Sequence, residues 1–109
     1  MLKIKSYVKV KSIAEAYELN QKKTALVLGG MVWLTMGNRN ISTAIDLSGL
    51  GLDTVQETDD EFVIGCMATL RDLEVHPGLN AYTDGAVKQS VCHIVGVQFR
   101  NCATVGGSI

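Results

Sequence analysis

Two glycine pairs are the residues whose type and spacing could do chemistry. Gly29-Gly30 closes the apolar run Ala25-Leu26-Val27-Leu28, and Gly106-Gly107 sits inside Thr104-Val105-Gly106-Gly107-Ser108. Glycines at a strand end let the backbone approach a ligand closely, and the N–H groups of a following helix can face an anion with the helix dipole behind them. Such a cradle takes a phosphate without lysine or arginine. The same pair also makes an ordinary turn, and the segment alone leaves both readings open. In the second constellation two hydroxyls bracket the glycines, which suits a backbone-and-hydroxyl cradle for a pyrophosphate. A turn before a strand is the plainer reading there. Neither segment is a Walker sequence, and no G-x-G-x-x-G with a downstream acid is present, which disfavours an ordinary dinucleotide fold or a nucleotide triphosphatase.

The remaining chemistry-bearing side chains are scattered. His76 and His93 have no carboxylate or cysteine partner at ligand spacing. His76, ahead of Pro77, reads as a solvated helix end. Adjacent helical residues point in different directions, so Cys92-His93 reads as a core-facing pair rather than a nucleophile and its base. Asp59, Asp60 and Glu61 read as a solvated hairpin tip, and Arg71 and Asp72 as helix-surface charges. Trp33 could stack on a ligand ring or pack under a sheet. Arg100 could contact a phosphate or hold its loop by bonding backbone carbonyls.

The elements that must position these residues follow from periodicity. Tyr7 to Val10 alternates as a half-exposed strand. Ser12-Ile13-Ala14-Glu15 has the form of a capping box, opening a helix over about Ser12 to Lys23. Ala25 to Leu28 reads as a buried strand, Met31 to Met36 as a short helix, and Ala44 to Leu47 as a third strand. That order predicts a small βαβ-type unit with parallel strands. Beyond Gly49 and Gly51 the character changes. Thr54 to Gln56 and Phe62 to Ile64 flank Thr58-Asp59-Asp60-Glu61 as a hairpin. Thr69 to Asp72 repeats the capping logic ahead of a short helix that His76-Pro77-Gly78 stops, and Gly85 to Val95 reads as a buried helix.

The chain has 109 residues and 11.7 kDa, net charge -1 and a pI near 6.0. That balance carries no electrostatic footprint for nucleic acid or an anionic membrane. Mean hydropathy of +0.19 with 47% hydrophobic residues argues against disorder. No apolar run approaches the ~20 residues of a membrane span, and the N-terminus is no signal peptide. Cys66, Cys92 and Cys102 form no disulfide or metal-ligand pattern. Their odd number and wide spacing fit a reducing, cytoplasmic setting.

Four segments occur together in order: Leu26-Val27-Leu28-Gly29-Gly30; Ala44-Ile45-Asp46-Leu47-Ser48; Ile64 through Glu74; and Gln98-Phe99-Arg100-Asn101-Cys102-Ala103-Thr104-Val105-Gly106-Gly107-Ser108-Ile109. Over nearly its whole length the chain resembles the FAD-binding subunit or domain of molybdenum hydroxylases, the family of xanthine dehydrogenase and of the medium subunit of carbon monoxide dehydrogenase. The R-N-x-A-T-V-G-G segment is its most specific part. The resemblance implies an α+β fold: a small N-terminal βαβ-type subdomain over residues 1–50, then the beginning of a larger, PCMH-like FAD-binding subdomain over 51–109. It implies FAD as cofactor, with Leu28, Gly29, Gly30, Met31, Val32 and Trp33 as one wall against the pyrophosphate. Leu34 would continue that wall. Thr104, Val105, Gly106, Gly107 and Ser108 would form the other, and Ile94 falls near a flavin-contacting position. Many relatives carry Thr-Asp after the first glycine pair where this chain has Met31-Val32-Trp33.

The function so implied is that of an FAD-dependent oxidoreductase subunit, passing electrons from iron–sulfur clusters to NAD or another acceptor. Molybdopterin and the iron–sulfur clusters are expected in partner subunits, and exposed apolar surface could support a homo-oligomer. No catalytic acid, base or metal ligand is expected in this segment. Because chains of the family run on past the position of Ile109, 109 residues are expected to be inactive alone. The alternative is a flavin-free assembly module of the same complex, or an inactive fragment.

Overall fold

The computed structural model describes residues 1–109. Strands β1 (Lys3–Lys9), β2 (Ala25–Leu28) and β3 (Asn40–Asp46) form a parallel sheet in the order β1-β3-β2. Helix α1 (Ile13–Leu19) makes the crossover from β1 to β2, and β3 enters between them, as a parallel unit requires. Being central, β3 carries two fully enclosed apolar residues, Ala44 and Ile45. Successive strand residues face opposite sides of a sheet, so these two seed two cores. Ile45 joins Val10, Ala16 and Ala25 beneath α1, and Ala44 joins Leu28 and Ile41, against which Met31 and Leu34 pack.

Three expectations change in this half. Helix α1 ends at Leu19, short of Lys23, and Glu15 reaches back to the N–H of Lys11 while the Ser12 hydroxyl caps Glu15 as expected. Strand β2 is an edge strand whose Val27 is partly exposed, so its apolar run is only half-buried. The helix expected over Met31 to Met36 shrinks to one 3-10 turn, Leu34–Met36. Met31 itself has φ of 62°, a left-handed conformation that cannot begin a right-handed helix.

A turn through Gly49 and Gly51, both at positive φ, leads into the second half. Strands β4 (Val55–Glu57) and β5 (Phe62–Ile64) pair as the expected hairpin, with the Thr58 hydroxyl accepting from the N–H groups of Asp60 and Glu61. Five short helices follow: α2 (Leu70–Val75), α3 (Pro77–Tyr82), α4 (Ala86–Val91), α5 (Val97–Cys102) and α6 (Val105–Ser108). Thr69 and Asp72 close a complete capping box on α2. His76 ends α2, yet it also caps α3, its Nδ1 accepting from the Leu79 N–H at 3.0 Å. Proline is tolerated at the first helical position, so His76-Pro77 starts a helix where the sequence suggested only a stop.

The helix expected over Gly85 to Val95 ends at Val91, the only buried residue within it. His93 is exposed, so Cys92-His93 is not a core-facing pair. Residues 97–102 and 105–108 are helical where a turn before a strand was the plainer reading. The buried apolar residues of this half are Ala68, Leu70, Leu73, Leu79, Val91 and Ala103, of which Leu70, Val91 and Ala103 cluster together with Phe99 packed against them. No helix is long and apolar enough to cross a membrane.

Candidate functional site

The two glycine segments, far apart in sequence, line one cleft of about 510 Å³. The loop after β2 supplies one side through Gly29, Gly30, Met31, Val32, Trp33 and Leu34. The other side comes from Thr104, Gly107 and Ser108, with Phe99 and Ala103 of the preceding segment. Ile94 lies in the lining as well, from the turn between α4 and α5. Leu28 is buried in the sheet core beneath the loop, and Val105 and Gly106 lie outside the lining. This volume is within the range of about 300–1,000 Å³ typical of small-molecule pockets.

The two loops touch backbone to backbone. A Cβ on Gly30 would strike the carbonyl of Cys102, and one on Gly29 would meet Thr104 Oγ1 at 2.8 Å. The first reason for glycine here is therefore closure of the two loops on each other, which comes before any approach to a ligand.

Hydrogen bonding differs sharply between the walls. The backbone N–H groups of Gly29, Gly30, Met31, Val32 and Trp33 donate to no acceptor in the protein. Unpaired donors need a partner, from water or a ligand. A left-handed residue within such a run, here Met31, is the kind of local geometry that opens an anion-binding concavity. For a side chain with a Cβ that conformation costs about 1–2 kcal/mol. On the other wall the Val105 N–H donates to Ala68 at 2.8 Å, the Gly106 N–H to Cys66 at 2.8 Å, and the Gly107 N–H to Thr104 Oγ1 at 3.2 Å. The Ser108 hydroxyl donates to the Thr104 carbonyl at 2.7 Å.

No ionisable side chain lines the cleft. An anion there would meet no carboxylate, and its recognition would fall to backbone N–H groups and hydroxyls. The apolar remainder, Val32, Leu34, Leu70 and Ile94 among it, suits a flat, largely hydrophobic group. Trp33 is exposed at the mouth and packs edge-on against Phe99, with ring centroids 5.4 Å apart at 60°. It does not lie under the sheet, and its ring is open to a ligand. The cleft's donors and apolar surface fit a dinucleotide with a planar ring, such as FAD.

Arg100 is buried and bonds within the protein, so it holds its loop and does not face the cleft. Its partner, buried Glu74, was not foreseen, and neither was the tie between Arg71 and Glu74 that takes Arg71 out of the class of free surface charges. The hydrogen bond from Arg71 holds the Glu74 carboxyl below the usual carboxylate range against burial, which pushes the other way, and the Arg100 charge assists. Asp72 is exposed and completes the capping box of α2, its carboxylate accepting from the Thr69 N–H. The three cysteines are free thiols, and no His/Cys/Asp/Glu cluster could hold a metal.

A family model described as "FAD binding domain in molybdopterin dehydrogenase" matches residues 2–109. Among solved structures, a chain of carbon monoxide dehydrogenase from Hydrogenophaga pseudoflava, lacking the Mo-pyranopterin moiety of the molybdenum cofactor, is similar with a TM-score of 0.81 and 28% identity. The likeness covers 94% of this chain and 38% of that one. A Cu,Mo-CO dehydrogenase in its cyanide-inactivated form gives 0.83 and 26%, over 98% and 40% of the two chains. Quinoline 2-oxidoreductase from Pseudomonas putida 86, at 18% identity and a TM-score of 0.77 over 99% and 39%, shares the fold. The chain spans less than half the length of each of these solved chains. No curated protein matches it.

Proposed function

The chain belongs to the family of FAD-binding domains in molybdopterin dehydrogenases, and from that premise we propose that its cleft holds the pyrophosphate of FAD between the two glycine loops. Gly29 through Trp33, from residues 1–50, form the donor wall, with Leu28 anchoring it in the sheet core. Thr104 through Ser108, from residues 51–109, form the closing wall. The observation that carries this reading is the run of five backbone N–H groups, Gly29 to Trp33, that no protein acceptor takes.

In this reading the first wall binds the phosphates through its N–H groups, while Thr104 fixes the shape of the second by accepting from Gly107. Val32, Leu34 and Ile94 exclude water from the ring system, and Trp33 offers a stacking face. FAD, when bound, supplies the electron-accepting and electron-passing chemistry, and the protein supplies placement. Electrons would enter from iron–sulfur clusters and leave to NAD or another acceptor, with the clusters and the molybdopterin carried by partner subunits. The molybdenum-dependent carbon monoxide dehydrogenases among the solved relatives support that setting.

The test is direct titration of the purified chain with FAD, read by visible absorption after removal of free flavin. The reading expects one flavin per chain. A chain that retains none, alone and with its iron–sulfur and molybdopterin partners present, would overturn it and favour a flavin-free assembly role.

A further inference from the structure

A buried ion pair lies behind the second wall, outside the cleft. Glu74 of α2 and Arg100 of α5 are 5% and 6% exposed, with Arg100 Nη2 3.1 Å from Glu74 Oε1. Arg71, one turn earlier on α2 and partly exposed, takes the other carboxylate oxygen. The second arm of Arg100 does something different: its Nη1 donates to the carbonyl of Ile94 at 3.2 Å. Ile94 lines the cleft, and the next residue, Val95, has φ of 52°. A β-branched residue in the left-handed region is strained, and Val95 is largely exposed, so no burial of its side chain repays that strain. The Ile94 turn must be held by its neighbours.

Resting on the reading of the cleft as an FAD site, we propose that the Glu74–Arg100 pair positions the Ile94 turn and the second glycine loop for the cofactor. Glu74 fixes the guanidinium, and the guanidinium fixes the Ile94 carbonyl. The same helix, α5, turns Phe99 into the cleft against Trp33 and runs directly into Ala103 and Thr104. Leu70, Val91 and Ala103, with Phe99 packed against them, form the apolar cluster beside α5, and the ion pair ties the helix to α2 at a second point. A buried ion pair adds little net stability once its desolvation is counted, and apolar residues of similar size often replace one without loss. Its use here is geometric. Arg100 Nε stays buried without a partner, so the guanidinium is placed for Glu74 and Ile94 at the expense of its own hydrogen bonding.

That distinction gives the experiment. Glu74→Met/Arg100→Met in the full chain removes both charges and fills the same space, and Glu74→Gln keeps the shape and removes one charge. Melting temperature, FAD affinity by flavin fluorescence, and backbone hydrogen exchange without ligand are measured for each. A positioning role predicts a double variant that melts close to the unaltered chain yet binds FAD about tenfold or more weakly. Faster exchange should be confined to residues 92–96 and 104–108, with the β1–β3 sheet unchanged. Glu74→Gln should give the same pattern of exchange even if the double variant does not fold. Unchanged affinity and exchange in a folded variant would overturn the proposal. If the unaltered chain binds no FAD, the cofactor reading fails separately, and the exchange measurement alone decides whether the pair holds the Ile94 turn.

Discussion

The two walls of the cleft contain similar residues and are built in opposite ways. Along Gly29 to Trp33 the backbone N–H groups have no protein acceptor, and Met31 is held in a left-handed conformation. Along Thr104 to Ser108 the N–H groups of Val105, Gly106 and Gly107 are all taken, by Ala68, Cys66 and Thr104. The first wall keeps its donors for something outside the protein. The second uses its donors to dock onto the segment before α2, and so fixes its own shape. A glycine pair in a sequence therefore does not say which kind of wall it makes; the partners of the neighbouring N–H groups do.

The largest effect expected from breaking this arrangement is at the contact between the walls. Gly30→Ala places a methyl group on the Cys102 carbonyl. It should cost about 1–3 kcal/mol, the range for overpacking a closed site, and abolish FAD retention. Thermal melting and flavin absorbance check both. Thr104→Ala comes next, because it removes the acceptor for the Gly107 N–H and the cap of α6. A loss of about 0.5–2 kcal/mol is expected, with Thr104→Ser retaining most of the stability. Trp33→Ala should act on both the fold and the ligand. The residue is exposed but packs edge-on against Phe99, so stability should fall by about 0.5–1.5 kcal/mol. FAD binding should weaken by about 0.5–1.5 kcal/mol, the worth of an aromatic contact.

The smallest effect on stability near neutral pH comes from titration of the Glu74 carboxyl. Its folded-state pKa lies below the ordinary value of 4.5. Its contribution to stability is therefore complete above that value and is lost as pH falls through the lowered one. Melting temperature should be insensitive to this group between pH 7 and pH 5, values chosen to lie above the carboxylate range. Acid titration should then show a steeper loss in the unaltered chain than in Glu74→Gln.

Local chemistry was legible in the sequence wherever a few adjacent residues decide the structure. Ser12 caps α1, Thr69 and Asp72 close a capping box, a hairpin turns at Thr58 to Glu61, and the first three strands pair in parallel as the alternation of strands and helices suggests. The ordered glycine and R-N-x-A-T segments indicated the family, whose model matches residues 2–109. Features decided by distant residues were not legible. Arg100 is buried because Glu74, on another helix, receives it. Helix α5 is held by that pair and by packing against Leu70 and Val91, partners that its own sequence does not reveal. Pro77 read as a stop because its role as the first residue of α3 depends on His76 acting as the cap. Met31 departs from the helix that the residues after Gly30 suggested, and in doing so leaves the first wall's donors free.

The most direct measurement is backbone amide NMR of the full chain titrated with FAD, with riboflavin as the phosphate-free control. FAD should move the N–H signals of Gly29 to Trp33 far more than those of Val105 to Gly107, and riboflavin, whose ring can reach only Val32 and Trp33 of that run, should leave the Gly29 to Met31 signals in place. Equal shifts on the two walls, or the same Gly29 to Met31 shifts with riboflavin, would contradict phosphate binding by the first wall.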